Sequence, residues 1–330
     1  MKLTTLLKTT ACIAATMVVA GTAGAQTLRA SHQWPQGDVR HEMVQVIADE
    51  LAAGDSGLTV QIYPAASLYD PYDQWSALTQ GQLDISAFPL DYASGRHPVF
   101  SATLMPGLVR NHDRAERMND SDFMAEIKKV VEEAGVVILA DTWLGGSFAS
   151  TEQCITSPET IKGQVTRAAG PMFEQMLAGA GASIASMPSS EIYTAMQTGV
   201  LDAANTSSGS FTSYRIYEQA VCLTAPGENA LWFMYEPILM SKQSFDELSP
   251  EQQEAVMAAG QVAEDFFAEQ ARSLDQEMID AFKEAGVEVV QMSAEDYDAW
   301  LAIAQETSYK TFAEEVEGGQ ELIDMALSVE

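Results

Sequence analysis

The sequence predicts an α/β protein of two domains. Three observations carry this expectation. Short β-rich runs alternate with amphipathic helical patterns, 47% of the 330 residues are apolar, and the length exceeds what one hydrophobic core commonly serves. No low-complexity linker or internal repeat divides the chain, so several strands or one long helix must cross any boundary between domains.

The elements follow in order. The run TLRASH (27–32) reads as a strand and leads to an amphipathic helix from Asp38 to Gly54, with Val39, Met43, Ile47 and Leu51 on one face, Asp38 as its cap and Gly54 as its stop. LTVQIYP (58–64) is a second strand, followed by a helix near Tyr72–Thr79 and a strand in LDISAFP (83–89). A helix over Ala115–Ala134 then runs into the strand VVILADTWL (136–144). In the middle third, Gln164–Arg167 forms a strand, Pro171–Ala180 a helix, ASIASMP (182–188) a strand, and a helix opens at Ser189 or Ser190. Alternation of this kind argues for parallel strands, and such sheets bind ligands at the carboxyl ends of their strands. From Ser249 the composition turns charged and Gln-rich. Ser249-Pro250-Glu251-Gln252 has the order of a capping box with Pro in the first turn, and helical pattern continues to about Ala285, as one helix lying across two lobes or as two broken at Gly260.

Lys2 and Lys8 precede an apolar run from Ala11 to Ala20 and the small-residue ending Ala23-Gly24-Ala25, which predicts a secretory signal peptide cleaved after Ala25. The chain then keeps 15 cations against 47 carboxylates, since only Lys2 and Lys8 leave. That excess argues against nucleic acid and anionic lipid as partners, because both need a basic footprint. Cys12 falls within the leader, so Cys154 and Cys222 remain as an even pair, and in an oxidising compartment they predict one disulfide.

Catalytic signatures are missing from the sequence: there is no G-x-S-x-G, H-E-x-x-H, P-loop, or G-x-G-x-x-G after a strand. His32, His41, His97 and His112 show no ligand-pair spacing on a helix and read as surface or packing residues, with His32 placed at a strand end where it could line a cleft. No enzyme, metal site or cofactor is expected. The feature that demands a function is Arg167, a lone cation in IKGQVTRAAGP (161–171), where the neighbours promise burial. A buried guanidinium is costly unless paired, and its planar fork matches a carboxylate. Its partner is either one of the 47 acids or a ligand from solvent.

The segments S-P-E-T-I-K-G-Q-V-T-R and S-E-I-Y-T-A-M-Q-T-G-V-L-D resemble the paired signatures of solute-binding proteins of tripartite ATP-independent periplasmic (TRAP) transporters. L-R-A-S-H, G-Q-L-D-I (81–85), L-M-P-G-L-V (104–109) and L-S-P-E-Q-Q (248–253) support the resemblance in matching order over nearly the whole exported chain. It implies a periplasmic, two-lobed α/β binding protein of the type II-like class, with a ligand cleft between the lobes and the long helix bridging them. Such a protein closes on a small organic acid and hands it to the membrane permease subunits. The expected lobes are 26–145 plus about 236–275, and 146–235 plus about 276–330, working as a monomer.

Arg167 falls on the family arginine that pairs with the ligand carboxylate. Glu191 and Tyr193 match the second signature; an acid at Glu191 suits a helix N-terminus, and Tyr193 suits either core or pocket. Where the family has G-x-E-N-P, this chain reads Ala203-Ala204-Asn205-Thr206-Ser207, so Asn205 or Thr206 inherits the polar contact. Many relatives carry a second arginine after the strand ending near residue 144, whereas Gly145-Gly146-Ser147-Phe148 contains no cation. That loss argues for a monocarboxylate with an aromatic or branched apolar body. Trp143, Phe148, Trp232, Phe233, Tyr235, Trp34 and Tyr92, together with Ser147, are the candidate walls. The metal-assisted, keto-acid subgroup is disfavoured because its tryptophan-containing segment does not follow Asp202, and Glu236 before Pro237 is a weak ligand. The rival readings are a binding protein of an ATP-driven importer and a secreted α/β enzyme acting on a small acid.

Overall fold

The computed structural model describes residues 26–330, so the expected signal peptide and its cleavage point lie outside the described residues. Two sheets organise the chain. The strands are β1 (Gln26–Ser31), β2 (Leu58–Tyr63), β3 (Ile85–Ala87), β4 (Val136–Ala140), β5 (Trp143–Ser150), β6 (Val165–Ala168), β7 (Ser183–Ser186), β8 (Ala203–Ser207), β9 (Cys222–Ala225), β10 (Phe233–Tyr235), β11 (Ile238–Ser241) and β12 (Glu288–Gln291). The first sheet has the order β2-β1-β3-β11-β4, and the second β12-β9-β5-β8-β6-β7, with β10 paired to β5.

Neither sheet is wholly parallel. β1 runs parallel to β2 and β3, and β6 to β7 and β8, as helical crossovers require, but β11 is antiparallel to β3 and β4, and β5 to β8, β9 and β10. The antiparallel strands mark where the chain changes lobe. It passes from β4 to β5 at Asp141-Thr142 and back from β10 to β11 at Glu236-Pro237. These crossings lie side by side: the Glu236 N–H donates to the Thr142 carbonyl at 2.9 Å, and the Thr142 hydroxyl donates to the Glu236 carbonyl.

Local signals set the helices. Asp38 caps Val39–Ala53, its side chain accepting from the Arg40 N–H, and Met43, Val44, Ile47 and Leu51 bury one face. Ser249 and Gln252 form the reciprocal capping box of a single 35-residue helix, Pro250–Glu284. Its N-terminal half packs on Val39–Ala53 and β4, and its C-terminal half on β9 and β12, so it bridges the two lobes. Gly260 does not break it. A β-carbon there would stand 2.1 Å from the Leu139 carbonyl oxygen, so the glycine lets the helix pass directly over β4.

Two expectations about extent need adjustment. The stretch expected as one helix over Ala115–Ala134 is two, His112–Met118 and Asp122–Glu133, because the Ser121 side chain accepts from the Met124 N–H and starts a new helix. The final helix, Gly319–Ser328, packs against Asp122–Glu133 of the first lobe, with Leu322, Ile323 and Ala326 entering that lobe's core, so residues near the C-terminus return from the second lobe. Cys154 and Cys222 are joined as a disulfide between the end of β5 and the start of β9.

Candidate functional site

β6 lies between β7 and β8, with Arg167 paired in register to Ala185 and Ala204, and this inner position leaves the arginine only 1% exposed. Its Nε donates to the Met187 carbonyl at 3.0 Å, Nη1 to the Asn205 carbonyl at 2.8 Å, and Nη2 to the Tyr92 hydroxyl at 3.1 Å. All three acceptors are neutral. Among the described residues Arg167 takes part in no ion pair. A guanidinium offers five N–H donors, so donors remain beyond these three.

Tyr92 belongs to the short helix Leu90–Ala93 of the first lobe and reaches across to Arg167 in the second, where its oxygen also accepts from the Ser189 N–H at 3.1 Å. Tyr214 makes the reverse crossing and donates from its hydroxyl to the Gln33 carbonyl at 2.9 Å. The lobes therefore meet over a buried polar layer, at the carboxyl ends of β1, β6 and β8.

A second buried arginine stands in the same layer. Arg40 holds Asp38 through Nε and Nη2, both at 2.7 Å, and Glu236 through Nη1 at 2.9 Å; it also donates to the hydroxyls of Ser207 at 2.8 Å and Ser210 at 3.2 Å, and lies 4.2 Å above the Trp34 ring. Burial alone would raise the Asp38 carboxyl, but the Arg40 guanidinium holds it below its usual range; at Glu236 burial prevails and the carboxyl is raised. Burial, aided by neighbouring His41, pushes His32 down to about 3, and its Nε2 lies 3.1 Å from His41 Nδ1. The β1 exit loop that carries His32 and Trp34 is clamped by Ala65 and Ala66, whose N–H groups donate to the Trp34 and His32 carbonyls at 2.9 Å each. Both alanines are left-handed, with φ of 54°, at a cost of about 1–2 kcal/mol each.

Buried side-chain atoms without a hydrogen-bond partner also gather on these elements: both amide atoms of Gln33 and of Asn205, both carboxylate oxygens of Asp91, and the indole nitrogens of Trp34 and Trp232. Such atoms are exceptional in a folded interior. A surface groove of about 790 Å³ between Arg110, Tyr297 and Tyr309 contains none of them.

The residues singled out from sequence distribute unevenly. Arg167 meets the Tyr92 hydroxyl and the main-chain carbonyl of Asn205. Thr206 follows in β8 on the face shared by Ala204, while Asn205 projects to the other face with Phe148. Phe148 stacks on Trp300 at 5.7 Å in a core that includes Trp232, and the Ser147 hydroxyl donates to the Thr224 carbonyl. Trp143 is turned away: its indole donates to Asn119 at 2.8 Å and its ring packs on Tyr235, along a groove of 380 Å³ with His112 and Glu264. Phe233 packs on His112 nearby. Tyr193 donates to Glu218 at 2.9 Å near the surface, and Glu191 is exposed in the first turn before Ile192–Gln197. Arg40, Gln33, Asp91 and Tyr214 escaped the sequence reading. The position of Gln33 after β1, at a carboxyl strand end, was a usable signal; the pairing of Arg40 with Glu236, 196 residues away, was not.

Comparison with known proteins places this architecture. Residues 30–315 match the family model described as bacterial extracellular solute-binding protein, family 7. A solute-binding protein of Albidiferax ferrireducens is 36% identical, with 97% of each chain covered, and the ectoine-binding periplasmic protein of Halomonas elongata is 27% identical over 96% of this chain and 94% of its own. The crystal structure of a TRAP periplasmic solute-binding protein from Rhodoferax ferrireducens, with bound malonate, superimposes with a TM-score of 0.88 at 36% identity, covering 92% of this chain and 98% of that one. The chain belongs to family 7 of the bacterial extracellular solute-binding proteins, the receptors of TRAP transporters.

Proposed function

We propose that this protein captures a small monocarboxylate between its lobes in the periplasm, with Arg167 as the carboxylate anchor, and delivers it unchanged to a TRAP membrane permease, working as a monomer and without catalysis. The observation that carries this reading is the buried Arg167 guanidinium with three neutral acceptors and no carboxylate bonded to it. A buried cation without a counter-charge is costly, and an incoming carboxylate removes that cost while using the free N–H donors. Tyr92 accepts from both Arg167 and Ser189, which leaves its own O–H for the same anion.

One charge rather than two is favoured because the second buried arginine, Arg40, is already committed to Asp38 and Glu236. The body of the solute meets Tyr92 rather than Trp143, and the unpartnered amide of Gln33 favours polar substituents over a wholly apolar body. The malonate carried by the R. ferrireducens relative and the ectoine named for the H. elongata relative are both small carboxylates, in keeping with an anchor of this kind.

Isothermal titration of the purified protein and of Arg167→Ala tests the reading. Truncating one partner of a buried charge pair typically costs about 2–5 kcal/mol, so affinity for the acid bound by the parent protein should fall well over tenfold. Unchanged affinity would remove Arg167 from the site.

A further inference from the structure

Asp91 carries more information than its place beside Tyr92 suggests. It is 2% exposed, and neither carboxylate oxygen has a hydrogen-bond partner among the described residues. A buried carboxylate left in this state costs several kcal/mol unless something neutralises it. Its position is built into the chain: Asp91 belongs to the first lobe, but its Oδ2 lies 1.6 Å from where a β-carbon on Gly170 would stand, so only a glycine at the start of helix Pro171–Gly179 in the second lobe admits it.

We propose, building on the carboxylate reading of Arg167, that the solute carries a protonated nitrogen beside its carboxylate, and that Asp91 is the residue that receives this nitrogen. The site then presents one uncommitted cation from the second lobe and one unpartnered acid from the first. A zwitterion satisfies both at once, and its opposite ends attach to opposite lobes, so charge pairing and lobe closure become the same event. Arg167 makes no hydrogen bond to Asp91; its three bonds go to Met187, Asn205 and Tyr92. In keeping with that geometry, burial and the nearby Glu174 push the Asp91 carboxyl well above its usual range, and Arg167 offsets only part of the effect. An aromatic surface suited to a cation adjoins it: the Tyr72 and Tyr92 rings lie 4.7 Å apart, and Tyr72 remains 44% exposed at the rim.

The same unpartnered acid, if it kept a proton, would instead donate to a second carboxylate and favour a diacid. Matched probes separate the two. Protein stripped of co-purified ligand is screened by thermal shift and titration calorimetry against L-proline and cyclopentanecarboxylate, L-valine and isovalerate, L-phenylalanine and 3-phenylpropanoate, ectoine, and the diacids malonate and succinate. The expected result is that the tightest binder is a zwitterion, that in its matched pair it binds at least tenfold more tightly than the nitrogen-free acid, and that Asp91→Asn reduces this preference to less than threefold. Should Asp91→Asn fail to fold, the parent protein's preference within the pairs still decides. Tighter binding of a diacid, or of the nitrogen-free acids, overturns the proposal and leaves the Arg167 anchor intact. Failure of every carboxylate to bind overturns both.

Discussion

Two buried arginines, some of the deepest side chains in the molecule, sit in one polar layer and do opposite things. Arg40 is surrounded by its own acids, Asp38 in a two-pronged pair and Glu236 at the chain crossing, and it adds hydroxyls from Ser207 and Ser210. Arg167 has a carbonyl, another carbonyl and a phenol. The comparison teaches that burial of a cation does not mark a binding site; what marks it is burial without a carboxylate bonded to it. Arg40 ties helix Val39–Ala53 to the crossing residue Glu236 and to the end of β8, so it fixes the relation between those elements. Arg167 is held in place by neutral acceptors, which orient it and leave its charge unspent.

Substitution at Arg40 should have the largest effect on stability. Arg40→Met leaves two buried acids without their partner, and breaking such a group by removing one member costs about 3–5 kcal/mol. Urea unfolding should show that loss, and a change below about 1 kcal/mol would mean that the Arg40 cluster does not hold the lobes as described.

Acid titration sharpens the contrast at the Arg40 end. His32 in the folded protein sits at about 3, against 6.5 when unfolded, so between those values the unfolded chain binds the extra proton and stability falls as pH drops. At 1.36 kcal/mol per pKa unit the full loss is on the order of 5 kcal/mol, reached below about pH 3. Asp38, held below its usual range, adds a loss only in the more acid part of this window, whereas Glu236 and Asp91, both raised, contribute stability at low pH that is lost as pH rises through their folded values. Melting temperatures of His32→Asn should therefore decline less between pH 6.5 and pH 4 than those of the parent. Parallel curves would remove His32 as the source.

The smallest expected effect probes the neutral setting of Arg167. Tyr92→Phe deletes the hydroxyl that accepts from Arg167 and Ser189 across the lobes, and a hydrogen bond of this kind contributes about 1 kcal/mol. Affinity should fall severalfold with little change in unfolding, the reverse of Arg40→Met. A loss of stability equal to that of Arg40→Met would make Tyr92 a structural clasp rather than part of a binding surface.

How far the sequence reaches can be seen residue by residue. Asp38, Gly54 and the Ser249-Gln252 box delimit their helices because capping is decided within four residues of the chain. The split at Ser121 was also local, but an apolar period continued across it and masked the cap. Trp143 shows the opposite limit. Its type and place in a strand suit a pocket wall, yet the direction of its ring is set by Asn119 and Tyr235, which come from other parts of the chain.

The charge at position 167, its apolar flanks, the α/β alternation and the cysteine pair were all legible before any coordinates, since each depends on neighbours in sequence or on composition. Which arginine is paired, which acid is left alone, and where the lobes touch were decided by tertiary structure. Arg40 meets Glu236 across 196 residues, and Asp91 lies against a glycine 79 positions away, and contacts at such separation follow from how the sheets and helices pack rather than from any local pattern.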